Sequence, residues 1–159
     1  MSLNDVYSVS QILASLAVIA SLVFVGQQVR QANHMMRAEA MRNHADKFQS
    51  VSRAMFEVPG MAPLIAKGFD GMGVFDAIER MQFINIIMWI LRIAEELHLQ
   101  FEQGLIERDL WAANCRIWVR TFQGKGPLEA YELRRELFTP KFQAFFDDLV
   151  SRPDGKSLY

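Results

Sequence analysis

Glu95, His98 and Glu102 lie at helical spacing on one face. A Glu-x-x-His pair of this kind is half of the carboxylate-bridged two-metal site of ferritin-like bundles. The other half would need a second Glu-x-x-His and two further carboxylates. Neither Glu39 with His44 nor Glu129 with Glu132 has that pattern. His98 is also in line with Ile87 and Leu91, which reads as a hydrogen-bonded histidine in or beside a core. No metal is therefore assigned, and these three residues stand as its only candidates. The single cysteine, Cys115, sits between Trp111 and Trp118 on an apolar helical face, where a thiol behaves as a small hydrophobe rather than a nucleophile. No nucleophile elbow and no strand-borne phosphate loop accompanies the serines and glycines, so no catalytic residue and no cofactor is expected.

A second group of polar residues is better placed to meet a ligand or partner. At 100° per residue, Gln82, Asn85, Trp89, Arg92, Glu96, Gln100 and Gln103 form one narrow stripe. Of these, Asn85, Trp89, Arg92 and Glu96 are the candidate contacts. Arg92 beside Glu95 and Glu96 also reads as a local ion pair that fixes helix register if buried.

The helix carrying both groups opens on Asp76 with Glu79, a capping box, and ends near Gln103 before Gly104. Phe83, Ile84, Ile86, Ile87, Ile90, Leu91, Ile93, Ala94, Leu97 and Phe101 fill most of its circumference, so other elements must cover it on several sides. Because the smaller helices are few, part of that surface, Phe83, Ile86, Ile87 and Ile90 in particular, is expected to need a second chain.

The remaining elements are helical too. From Gln27 to Val58 no Pro or Gly intervenes, and apolar residues from Val29 to Val58 recur at spacings near three and four until Pro59-Gly60. A short helix over 62–67 precedes a glycine-rich loop at Gly68, Gly71 and Gly73. Helices follow over about 108–123, from Pro127, and from Thr139-Pro140 to about Arg152. The fold class is all-α: an N-terminal transmembrane helix continues into a long amphipathic helix, packed with the central helix and several shorter ones as a bundle. The organisation reads as an anchor over 1–28, a body over 29–152 and a tail over 153–159.

The anchor rests on Val6 to Gly26, which contain no charged residue. About 20 such residues in a helix span roughly 30 Å of hydrocarbon. A cleaved signal peptide would want a basic start and a small-x-small site, whereas Asp5 precedes this run. Arg30, Arg37, Arg42 and Lys47 follow it, which by the positive-inside rule puts the body in the cytoplasm. Ser10 with Ala14, and Ala17 with Ser21, would let two such helices approach closely. A net charge of −1 argues against nucleic acid, since there is no cationic excess to neutralise phosphates. The expected partners are the bilayer and another membrane protein or copies of the same chain.

The chain resembles a widespread family of small uncharacterised bacterial proteins with an N-terminal membrane anchor and a helical body. Gln28, Arg30, Gln31 and Asn33 match that family's stretch after the apolar segment. Arg92, Glu95 or Glu96, Gln100, Gly104-Leu105 and Trp111 match a second motif, and Phe138, Thr139, Pro140 and Phe142 match its ending. The resemblance implies a single-pass protein of the bacterial inner membrane and assigns no activity. On these grounds the expected role is docking on a membrane protein or complex. The alternatives are a small-ligand sensor with a pocket between helices and, less favoured, a metal-dependent carboxylate-bundle enzyme.

Overall fold

The computed structural model describes residues 3–152, and the tail over 153–159 lies outside them. Among the described residues there are six α-helices, two 3-10 turns and no strand, an all-α protein. Helix α1 runs unbroken over Leu3–Glu57. The chain divides into two compact units, Met1–Glu39 and Ala40–Tyr159.

The first unit is helical throughout its described residues. Its apolar side chains from Ile12 to Val25 are all exposed, Leu22 at 67%. This helix is long and apolar enough to cross a membrane: its most apolar window has a mean hydropathy of 2.0 and none of it is buried within the chain.

The second unit begins at Ala40, the first buried residue among those described. Val29 and Met36, which continue the apolar spacing of α1 before it, are about half exposed. The periodicity continues through this stretch, but nothing in its own unit covers it. After α1 come α2 (Met61–Gly68), a 3-10 turn (Met72–Val74), α3 (Ala77–Glu102), α4 (Arg108–Phe122), α5 (Lys125–Arg134), a second 3-10 turn (Arg135–Leu137) and α6 (Pro140–Ser151).

The ends of α3 follow from local chemistry. Asp76 Oδ1 accepts from the backbone N–H groups of Ile78 and Glu79, each at 2.8 Å, while Glu79 Oε2 accepts from Asp76 N–H at 3.1 Å. This closes the capping box. At the other end Gly104, with φ +71°, reverses the chain, and the N–H groups of Gly104 and Leu105 bond the carbonyls of Phe101 and Gln100, a Schellman closure. Thr139 caps α6 with Pro140 in its first turn.

Helix α3 is the spine of the body. Phe83, Ile87, Leu91, Ala94 and Leu97 are buried on it, facing α5, α2 and α4. Trp111, Cys115, Trp118 and Phe122 of α4, Ala130 and Tyr131 of α5, and Phe142, Phe146 and Leu149 of α6 complete one core. Each such side chain contributes on the order of 1.5–3 kcal/mol by leaving water. The expectation that Phe83, Ile86, Ile87 and Ile90 need a second chain is corrected for three of them. Phe83 at 0%, Ile86 at 9% and Ile87 at 2% exposure are covered by their own body, and only Ile90 is left half-buried. The short α5 and α6 cover more than their length suggests because they carry bulky aromatics.

Helices α2 and α5 meet backbone to backbone. Gly126 N–H donates to Phe69 O at 3.3 Å, and a Cβ placed on Gly126 would fall 1.8 Å from Gly68 O. Glu129 Oε2 then accepts from Met72 N–H at 2.8 Å, tying the intervening turn to α5. Gly126→Ala is therefore expected to lower the stability of the body by about 2–3 kcal/mol, since two backbones rather than one side chain must separate. Gly73→Ala, where a Cβ meets nothing within 4 Å, should stay within about 0.5 kcal/mol. Urea unfolding of both variants checks the contrast.

Candidate functional site

The polar stripe of α3 runs along the outer edge of the helix, and its members have different surroundings. Asn85 is exposed and borders an open groove of mixed character beside Pro59, Gly60, Lys67 and Glu79. Trp89 is 41% exposed. Arg92 donates from Nη1 to Glu95 Oε2 at 2.7 Å and from Nη2 to the Leu137 carbonyl at 2.9 Å, with its guanidinium 4.8 Å from the Phe138 ring centroid. Glu95 Oε1 in turn accepts from Thr139 N–H at 2.8 Å. Lys47 of α1 pairs with Glu96, which also accepts from Gln100 at 3.3 Å. Of the four candidate contacts for a ligand or partner, Arg92 and Glu96 are engaged within the body, while Asn85 and Trp89 are exposed. Residues seven or eleven apart share a stripe, but neighbouring elements engage Arg92 and Glu96 separately, through Leu137 and Lys47.

Arg92 and Glu95 form a lock between α3 and the entry to α6. Desolvation would raise the pKa of Glu95, but the Thr139 N–H and the Arg92 guanidinium outweigh it and hold the carboxyl below its ordinary value. The motifs containing Arg92, Glu95, Phe138, Thr139 and Pro140, separated by more than forty residues, meet here.

His98 sits 8% exposed in an aromatic setting. Its ring stacks on Phe145 at 4.4 Å and lies 5.7 and 5.9 Å from Trp111 and Phe142. Glu102 comes to 4.0 Å of Nε2 but pairs with Lys141 at 2.7 Å. Burial depresses the His98 pKa more than Glu102 and Glu95 raise it, and Lys141 depresses it further. Glu95 is meanwhile turned to Arg92 and Thr139. Among the described residues no three His, Cys, Asp or Glu side chains come together to hold a metal ion. Cys115 is buried, at 2% exposure, in the core among the tryptophans.

The feature that sequence reading missed lies between α1 and the α3–α4 face. A cavity of about 250 Å³ has Phe48, Val51 and Met55 of α1 on one side, Phe83, Ile86, Ile87 and Ile90 of α3 as its floor, and Ile117 and Trp118 of α4 opposite. Asn114, 6% exposed, is its polar edge: Nδ2 donates to Leu110 O at 2.9 Å, and His44 of α1 lines the same cavity. Burial holds His44 below its ordinary pKa, against the opposing pull of Asn114 and Glu96. Asn114 was legible as an amide on an otherwise apolar face of α4, between Trp111 and Trp118. Its sharing a cavity with a histidine seventy residues away was not.

Comparison of the chain with protein-family models, with curated proteins and with solved structures returns no match.

Two outcomes follow from this geometry. Arg92→Ala should destabilise the body by about 1–2 kcal/mol, because a backbone carbonyl, a carboxylate and a ring lose one partner together. Arg92→Lys should recover only part of this in urea unfolding, since an ammonium cannot hold the forked contact. His98 and His44 both have folded pKa values below 6.5, so the unfolded chain binds protons first. Stability is then full above pH 6.5 and falls as the pH drops through the depressed folded values. His98→Phe should flatten part of that fall when urea midpoints are compared between pH 7.5 and 5.

Proposed function

We propose that the chain is a membrane-anchored helical interaction protein, held by a single span in the bacterial inner membrane with its body in the cytoplasm. There it docks on another membrane protein or complex, or on its own copies. The observation that carries this reading is the first unit of the chain: an apolar helix with none of its most hydrophobic window buried, which only lipid or another protein can cover. The arginines after the span support the orientation, because cytoplasmic flanks are enriched in them. Exposed apolar side chains on the body support docking: Phe56 at 86%, Phe48 at 51% and Ile117 at 45%. The lock and the ion pairs hold helices together and leave no set of groups aimed at a common reacting atom, which favours an adaptor over an enzyme. Glu95, His98 and Glu102 are turned to separate partners, so a carboxylate-bundle metal enzyme gains no support. A sensor role has one specific observation in its favour, the cavity between α1, α3 and α4.

Deleting residues 1–26 should move the protein from the membrane fraction to the soluble fraction, since no later helix is long and apolar enough to span among the described residues. A photoreactive residue at Phe56, Phe48 or Ile117 of the full chain in native membranes should give adducts of discrete mass, and one at Glu136 should not. A truncated body that stays on lipid vesicles, or adducts only to lipid from all three body positions, would count against the reading.

A further inference from the structure

The cavity between α1, α3 and α4 lies wholly within the second unit and has the properties of a built site. An apolar cavity of about 150 Å³ is enough to stay dry and to take a benzene-sized guest. This one, at about 250 Å³, is large enough for a ring with a short chain or for a medium-length alkyl chain. Its lining contains no Asp, Glu, Lys or Arg. A charged head drawn inside would lose its hydration with no ion to replace it, which is strongly unfavourable. The polar atoms at its edge are hydrogen-bonding rather than charged. Asn114 is buried and oriented by Leu110 O, and His44, Ser52 and Thr121 line the same cavity with an imidazole and two hydroxyls. A continuous apolar floor with a few convergent polar groups is the general form of a small-molecule site.

We infer that this cavity binds an uncharged apolar molecule, a slender chain or ring, whose single hydroxyl or carbonyl group meets the His44–Asn114 pair. The inference does not depend on the docking role. A ligand here would bridge α1 to the α3–α4 face through Met55 and Ile90, and would fix the third of α1 that belongs to the body. The guest comes either from the bilayer or from water, and chain length separates the two sources.

The test uses the full chain in lipid nanodiscs with diazirine-bearing n-alcohols and the matching carboxylic acids, with labelled residues located by mass spectrometry. The alcohols are expected to label Ile87, Ile90 or Trp118 saturably, and the acids at least tenfold more weakly. Labelling by the hexyl probe identifies the aqueous route, and labelling by the hexadecyl probe alone identifies the bilayer. Ile90→Trp, which fills the cavity from its half-exposed floor, should abolish cavity labelling while leaving thermal unfolding within a few degrees. Val51→Phe fills it from α1 should the first variant fail to fold. His44→Leu should weaken the alcohol at least fivefold. Equal labelling by alcohol and acid, labelling restricted to residues of the span, or undiminished labelling of the filled variants would overturn the assignment.

Discussion

A helix of 26 residues that is apolar over most of its circumference cannot persist in water unless other elements cover it on several sides at once. The body of this protein is organised around meeting that constraint for α3. No single neighbour is long enough. The cover comes from four directions: α2 over its first turns, α5 along its middle, α4 across a third face and α6 near its C-terminal half. Short helices achieve this by carrying rings, and Tyr131, Phe138, Phe142 and Phe146 form a run of contacts between 4.8 and 6.1 Å. At Gly126 the backbones themselves close in on Gly68, which also lies under the rings of Phe75 and Phe83. The constraint also explains why polar groups beside α3 are tied down. A carboxylate such as Glu95, partly desolvated, is stable there only with donors from both α3 and the turn before α6.

The outline of this arrangement could be read from the chain alone, for reasons particular to each element. Asp76 with Glu79, Gly104 and Thr139-Pro140 act within one helical turn, so their chemistry is local and their positions in sequence settle where α3 and α6 begin or end. The stripe from Gln82 to Gln103 follows from geometry inside a single helix, and it is the solvent-facing edge of α3. The boundary of the body was less legible. Spacing continues evenly through Val29, Met36 and Ala40, and spacing alone does not say which of these residues has a neighbour.

The polar site was legible only in part. Arg92 and Glu95 were recognisable as a pair, but their second function, gripping the Leu137 carbonyl and the Thr139 amide, depends on a turn more than forty residues away. The same holds for His98, whose core-facing position was readable while its stacking on Phe145 was not. A pocket between helices was among the readings, but its lining could not be read. It has walls from α1, α3 and α4, and its polar edge takes His44 from one helix and Asn114 from another. Sequence patterns describe what a helix offers to its surroundings. They carry no information about gaps.

One consequence of the core's composition concerns the order in which the protein is made. The residues that finish enclosing α3, Phe142, Phe146 and Leu149, each at most 1% exposed, belong to the last described helix. Helix α1 leaves the ribosome well before α6. During elongation α3 therefore passes through a period with its Leu91–Leu97 surface uncovered, while the nascent chain already carries an apolar helix whose most apolar window nothing in the chain buries. Chains cut short before Thr139 would keep that second apolar surface open, so two sticky surfaces rather than one would mark such fragments for chaperones and proteases.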